Sequence, residues 1–362
     1  MLKALHHHKI LFFSISLMMI GTGLQNTLIA LRGQAEGFSQ TELGFIMASF
    51  FIGFLISALT AGRYIASVGH IRVFAALSAL CSVTILLHSV FLSSWHWMLI
   101  RFITGFCISG LYIISESWLN AQSSNQDRGQ AIAVYLMVIY ASGTIGQLFF
   151  NFIAPTSFLL FSIASITISV ASIPLLLTRI SAPTTSDQHH FMSLKKLYQR
   201  SPLGFVGVFA ANFCVGTLTS LAPIYAVNNG IIATRAAWVV MALNIGALFF
   251  TLPIGRLSDR FDRRLILASS ALIGGATTLA APFVGNNLTL LLPLFVLAGG
   301  FVMPLNGMST AYINDWLSSD EVVPAASTIV LVGGLGAISG PCSLDCSCKP
   351  SPTMPSSSPL PS

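Results

Sequence analysis

Charged side chains are scarce in this chain. Its 362 residues include 17 Lys and Arg and 11 Asp and Glu, so 8% are charged, where a soluble domain carries about a quarter. A surface this poor in charge could not be kept in water, which excludes an ordinary soluble protein. A glycine-rich phosphate loop ending in Gly-Lys-Ser/Thr is also missing, so nucleotide-driven chemistry has no foothold. No basic patch is interleaved with aromatics, and the net charge of +6 therefore does not mark a nucleic-acid partner. Nothing marks an enzyme, and neither a cofactor nor a metal site is expected. Cys81, Cys107 and Cys214 fall in apolar stretches as packed thiols. His6-His7-His8 is read as part of a polar leading segment.

What the chain has is hydrocarbon. Apolar residues make up 54% of it, and its mean hydropathy is +0.80. Crossing a bilayer core takes about 20 apolar residues, and eleven runs qualify. They are Ile10–Leu31, Thr41–Gly62, Val73–Leu92, Met98–Leu119, Gln130–Phe150, Ser157–Leu177, Leu203–Ala226, Ala236–Gly255, Leu265–Val284, Thr289–Ile313 and Pro324–Pro341. The first is too long for a signal-peptide core and no small-residue cleavage site closes it, so it is expected to stay. An all-α integral membrane protein follows, with the bilayer as its first partner.

Cation placement gives the orientation. With the amino terminus cytoplasmic, the inward loops carry thirteen Lys and Arg residues, and the outward loops before span 11 carry only Arg32 and Arg235. The longest loop, Thr178–Pro202, is Ser/Thr-rich and then basic. It is read as a cytoplasmic linker (178–202) between a six-helix half (1–177) and a second half (203–341). Residues 342–362, rich in Ser, Pro and Cys, are expected to be a disordered tail. Its Cys342, Cys346 and Cys348 lack a fourth ligand for a metal.

The halves repeat. The basic elbow Gly255-Arg-Leu-Ser-Asp-Arg-Phe-Asp-Arg-Arg264 has a weaker counterpart in Gly62–Arg72, 255 − 62 = 193 residues earlier. At an offset of 194, Phe102–Asn120 aligns with Val296–Asn314, pairing Gly105 with Gly299 and Ser115 with Ser309. Six spans per half return the chain to the same side, so the repeat is parallel.

On these residues the chain resembles the major facilitator superfamily. Gly255, Asp259, Arg260, Arg263 and Arg264 match its elbow motif, Gly-x-x-x-Asp-Arg-x-Gly-Arg-Arg, with Asp262 in place of the second Gly. In the first half Gly62 and Gly69 match, but Ala66 replaces the acid and His70 the first basic residue. Arg101 and Gly105 supply an Arg-x-x-x-Gly on span 4. The stretch from Arg101 through Glu116, with Arg128-Gly129 and Gly146-Gln147, is similar to a branch of uncharacterised transporters typified by YcaD.

The resemblance implies a monomeric inner-membrane carrier in which two bundles rock about a central cavity, moving a small solute as a secondary transporter. Export and proton coupling are both open. The alternatives are a non-transporting receptor or scaffold on the same fold, or an inactive product. Family members add a twelfth helix, and a shifted frame or early stop after residue 341 is the expected reason that none is seen. Spans 1, 4, 7 and 10 line the cavity in this family, which makes Gln25, Asn26, Arg101, Tyr112, Asn212 and Asn306 the candidate substrate contacts. Arg101, one turn inside its span, could alternatively snorkel to the interface. No acid on span 1 accompanies Arg101, which favours a neutral or anionic solute.

The candidate gating residues are Gly62, Gly69, Glu116, Gly255, Asp259, Arg260, Arg263, Arg264 and Asp315. Asp259 is expected to latch onto the start of span 5, where free N–H groups attract a carboxylate by about 0.3–1 kcal/mol, with Arg263 bridging toward Asp315. Glu116, near the inner end of span 4, is expected to pair with Arg63 or Arg72. A protonatable coupling group is the alternative reading of Glu116.

Overall fold

Residues 9–123, 128–177, 192–318 and 321–343 are described in a computed structural model. The expectations for His6–His8, for the loop 178–191 and for the tail beyond residue 343 lie outside them.

The described chain is built of helices, as a backbone in hydrocarbon must be to satisfy its own polar groups. In chain order these are α1 (Lys9–Ala35), α2 (Gln40–Val68), α3 (His70–Val90), α4 (Ser94–Gln122), α5 (Arg128–Leu148) and α6 (Phe158–Leu176). There follow a short α7 (Leu194–Arg200), then α8 (Pro202–Asn228), α9 (Ala233–Arg260), α10 (Arg263–Val284), α11 (Leu288–Val302), α12 (Leu305–Asn314) and α13 (Val322–Cys342). Eleven spans among the described residues are long and apolar enough to cross a membrane. Their sequence explains where they begin. Ser39 and Glu42 close a capping box at α2, and the side chains of Ser157, Asp262 and Asn287 cap α6, α10 and α11. Gly69, at φ 94°, makes the bend between α2 and α3 that a side chain would strain.

Span 10, expected to be continuous, is broken. Pro304 has no N–H to bond the carbonyl four residues back, so the helix stops at Val302 and restarts at Leu305. The break sits just before Asn306 and turns the second segment, α12, toward the space between the bundles.

The duplication is visible in the packing itself. A Cβ on Gly53 of α2 would overlap the Phe102 carbonyl oxygen of α4, and one on Gly105 of α4 would overlap that of Phe50. In the second bundle Gly246 of α9 meets the Val296 carbonyl of α11, and Gly299 meets that of Leu243. The offsets are 246 − 53 = 193 and 299 − 105 = 194, in line with the offsets of the elbows and of spans 4 and 10. Glycine is used at these four places because helices touching backbone to backbone leave no room for a side chain.

The two bundles meet tightly at the cation-poor end, opposite the elbows. There Gln34 Nε2 donates to Asn228 Oδ1 at 2.6 Å, Trp238 Nε1 donates to Asn151 Oδ1 at 2.7 Å, and Gly44 packs on the Pro341 carbonyl. At the cation-rich end a cavity lies between them, lined by Gly129 and Gln130 of one bundle and Gly255 and Asp259 of the other. The short α7 belongs to the second bundle. Its Leu197 is fully buried with Val208, Ile313 and Ile329, the Met192 N–H bonds the Pro324 carbonyl at 3.1 Å, and Lys196 and Arg200 reach Glu321 at 2.8 and 3.1 Å.

Candidate functional site

Two cavity lobes open between the bundles. One, of about 430 Å³, is walled by Phe51, Phe54 and Leu55 of α2, Asn212 of α8, the polar face of α12 and the small residues of α13. The other, of about 660 Å³, lies between α5 and α9 and reaches Gly129, Gln130 and Asp259 at its mouth. Asn306 lines both, so the lobes meet at the restart of span 10. Of the two, the α2–α13 lobe has no charged residue in its walls.

Asn212 and Asn306 are brought together as the sequence suggests. Asn212 Nδ2 donates to Asn306 Oδ1 at 2.8 Å and back to the Val208 carbonyl at 2.9 Å. That leaves Asn212 Oδ1 and Asn306 Nδ2 without a protein partner among the described residues, one acceptor and one donor beside the cavity. Thr310 and Asn314 continue this edge in steps of four on α12, and that spacing was available in the sequence as a polar stripe. Phe51, Phe54, Leu55 and the Gly333-Gly334 wall were not, because an apolar residue facing a cavity reads like one facing lipid.

The other four candidate contacts sit inside the first bundle. Arg101 does not snorkel. It is 2% exposed, its Nη2 donates to Asn26 Oδ1 at 3.1 Å, and its guanidinium lies 4.5 Å from the centre of the Phe50 ring. An amide dipole and a ring face hold this cation in place of a carboxylate, and its Nε and Nη1 have no partner among the described residues. Gln25 is fully buried, with both amide atoms unbonded among the described residues. Tyr112 donates to the Met19 sulfur at 2.9 Å. Gln147, also on the polar level of the first bundle, donates to the Gly23 carbonyl at 2.9 Å. These groups cross-brace α1, α2, α4 and α5 and line neither lobe. Sequence reasoning missed His88, which is fully buried with Nδ1 2.9 Å from the Thr84 carbonyl and its ring edge against Trp97.

At the cation-rich end Arg263 bridges two carboxylates, Asp259 at 2.9 Å and Asp315 at 3.2 Å. Arg264 donates to Tyr312 Oη at 2.8 Å and lies over the Tyr312 and Trp316 rings, while Arg260 is exposed. Asp259 itself is 71% exposed and faces the mouth that it shares with the start of α5. Gly255 carries open space where a Cβ would stand, and Gly62 is half-buried. Glu321, beside α7, is held at about 2, below the ordinary carboxylate value, by Lys196 first and then by the Ser318 N–H and Arg200.

The expected pairing of Glu116 is corrected. Among the described residues it makes no ion pair with Arg63 or Arg72, which are both exposed. It accepts a hydrogen bond from Tyr135 Oη of α5 at 3.1 Å. Solvated arginines at a helix end gain little from a surface pair, and the phenol is the closer donor. In place of Arg263, the first elbow has His70, with Nε2 3.1 Å from Ser117 Oγ and its ring stacked on Trp118.

A two-bundle helical membrane protein with a largely apolar cavity between its bundles, which are hydrogen-bonded together at the cation-poor end, has the form of a solute carrier. The Major Facilitator Superfamily model matches residues 11–231 and 204–343, and the chain belongs to that superfamily of membrane transport proteins. It is 27% identical over 337 residues to an uncharacterized MFS-type transporter of Yersinia enterocolitica, covering 92% of this chain and 85% of that one. It is 26% identical over 335 residues to the uncharacterized MFS-type transporter YcaD of Escherichia fergusonii, covering 92% and 86%. Among solved structures, a bacterial homolog of the human lysosomal transporter Spinster, inward-facing and occupied, superposes with a TM-score of 0.71 at 18% identity, covering 93% of this chain and 81% of that one. The nucleoside transporter NupG superposes with a TM-score of 0.72 at 14% identity, covering 93% and 89%.

Proposed function

We propose that this protein carries a small neutral or anionic solute across a bacterial inner membrane by alternating access, as a monomer with its amino terminus in the cytoplasm. The observation that carries the reading is the Asn212–Asn306 pair, set in an uncharged lobe between bundles that are hydrogen-bonded together at the opposite end. An amide pair offering one free donor and one free acceptor in apolar walls suits a solute that is bound by a few directed bonds. The units that rock are residues 1–177 and 203–341, the latter moving with α7 of the linker 178–202 packed against it. On this reading the present conformation opens to the cytoplasm, because the cation-rich end is the cytoplasmic one.

Closing that end would bring Asp259 from its exposed position onto the start of α5, at the positive end of its helix dipole, with Arg263 holding Asp259 and Asp315 in register. The mouth already joins these parts in one lobe. The test is counterflow in proteoliposomes, with the solute found by a binding screen of neutral and anionic metabolites. Asn306→Ala should weaken solute affinity about tenfold, the worth of one or two hydrogen bonds, and unchanged affinity would remove the pair from the site. Asp259→Asn should slow transport with membrane insertion unaltered; an unchanged rate removes the latch.

A further inference from the structure

Three carboxylates among the described residues lie within the membrane-crossing helices, and two of them are answered. Glu42 sits in the capping box of α2, bonded to the Ser39 N–H at 2.9 Å. Asp259, in the last turn of α9, is paired with Arg263. The third, Glu116, lies six residues inside the end of α4, roughly 9 Å along the axis, and its partner is the neutral phenol of Tyr135. We propose that Glu116, held by Tyr135, is the proton-binding site whose occupancy decides whether the cation-rich end can close.

The argument rests on the alternating-access reading above. Glu116 is exposed in this conformation and lines a small recess of about 200 Å³ with Asn120 and Tyr135. Leu136 forms part of both this recess and the α5–α9 lobe, so the two are separated by one side chain. Water therefore solvates the carboxylate while the end stands open. Drawing α5 and α9 together would strip that water away, and no described side chain around the site forms an ion pair with the carboxylate. Tyr112 is on its own helix and already donates to a sulfur. From α5 come Tyr135 and Tyr140, both phenols. From α3 comes His70, which is engaged with Ser117; α2 brings Arg63, which forms no ion pair with it, and α1 brings the Met19 sulfur. An isolated carboxylate leaving water takes a proton before it is buried charged. In this step one hydronium ion of the cavity gives its proton to the free oxygen of Glu116 and leaves as water, giving a neutral acid that keeps the Tyr135 bond at its other oxygen. Reopening returns the proton to the same side or, after exchange through the closed state, to the other.

The full chain in liposomes tests this without knowledge of the solute. Infrared difference spectra between about pH 8 and about pH 5 should contain the carbonyl band of a protonated carboxyl that is lost in Glu116→Gln, an isosteric change that preserves the Tyr135 bond. In Tyr135→Phe the band should persist at a shifted frequency, because its hydrogen bond is gone. In parallel, Ala133→Cys, on the wall of the α5–α9 lobe, reports opening by its rate of reaction with a water-soluble maleimide once Cys214, Cys342, Cys346 and Cys348 are replaced by Ser. Each rate is taken relative to the denatured chain at the same pH, which removes the thiol's own titration. Acidification should then slow labelling several-fold in the chain that keeps Glu116 and leave it unchanged with Glu116→Gln. Identical spectra in the two proteins, or the same acid response of labelling in both, would overturn the proposal. Failure of solute counterflow with both signatures intact would instead strike the transport reading and leave the proton site standing.

Discussion

Replacing Gly53 with Ala asks whether the contact between α2 and α4 is as close as described. A Cβ there would fall inside the Phe102 carbonyl oxygen and against the Phe106 nitrogen, both backbone atoms with no side-chain freedom to yield. Relief requires the helices to part by something on the order of 1 Å, and a gap of that size forfeits a quarter to a half of each dispersion contact along the seam. Overpacking of this kind costs about 1–3 kcal/mol. The better helix propensity of Ala returns up to about 1 kcal/mol, so a net loss of about 1–2 kcal/mol is expected. Gly275 of α10 is the control, since a Cβ there meets nothing within 4 Å and only the propensity gain applies. Heating the detergent-solubilised protein with a thiol-reactive fluorophore follows the exposure of Cys81 and Cys107, both fully buried. At about 2 °C per kcal/mol the two variants should melt several degrees apart, with Gly53→Ala the lower. Gly246→Ala should reproduce the loss, because it makes the same reciprocal contact in the second bundle. If Gly53→Ala and Gly275→Ala melt together, the backbone-to-backbone contact is wrong.

Two further outcomes follow from other parts of the molecule. A cysteine pair, Gln34→Cys with Asn228→Cys, should form a disulfide that locks the cation-poor end and halts solute exchange, while maleimide labelling of the opposite mouth continues; exchange that persists after complete cross-linking contradicts the rocking motion. Glu321 is ionised down to about 2, so its hold on Lys196 and Arg200 is present above the ordinary carboxylate value of 4.5 and fails only as pH falls through about 2. A spin label at Tyr198→Cys should therefore stay immobile from about pH 8 to about pH 4 and become mobile with Glu321→Gln throughout that range; loosening near pH 4.5 in the unmodified clasp would refute the assignment.

The fold was legible because lipid imposes one rule on every span. Runs such as Ala236–Gly255 and Leu265–Val284 could be read within a few residues of α9 and α10, since length and hydropathy suffice there. The glycine pairing of residues 105 and 299 was readable from the repeat, and both glycines mark the closest helix contacts. The site was legible only in part. Asn212 and Asn306 lie far apart along the second half, and their meeting depends on the break at Pro304. Arg101 could be placed on its helix, and the resemblance turned it toward the cavity, with the interface as the alternative. That it turns toward Asn26 and Phe50 is decided by α1 and α2 packing around it, which local sequence does not encode. Glu116 departs from its expected partner for a related reason. Charge complementarity points to Arg63 and Arg72, whereas helix geometry presents Tyr135.

The duplication also shows where the two copies have parted. At the offsets of 193 and 194, Asp259, Arg263 and Asp315 correspond to Ala66, His70 and Ala121, and Tyr312 corresponds to Trp118. Each bundle has a nitrogenous side chain against an aromatic ring at its elbow, Arg264 on Tyr312 and His70 on Trp118, one position apart in the elbow alignment. The ion pairs have not been kept, and the first elbow is held by a bond between His70 and Ser117. Packing at an elbow keeps the bundle folded in every conformation, so both copies retain it. In the proposed latch Asp259 would reach across to the opposite bundle in the closed conformation alone, so one charged copy of the elbow would serve. The charged network lies at the elbow within the second bundle, while the α2–α13 lobe has no charged residue in its walls, and it is on that uncharged side that Asn212 faces the cavity.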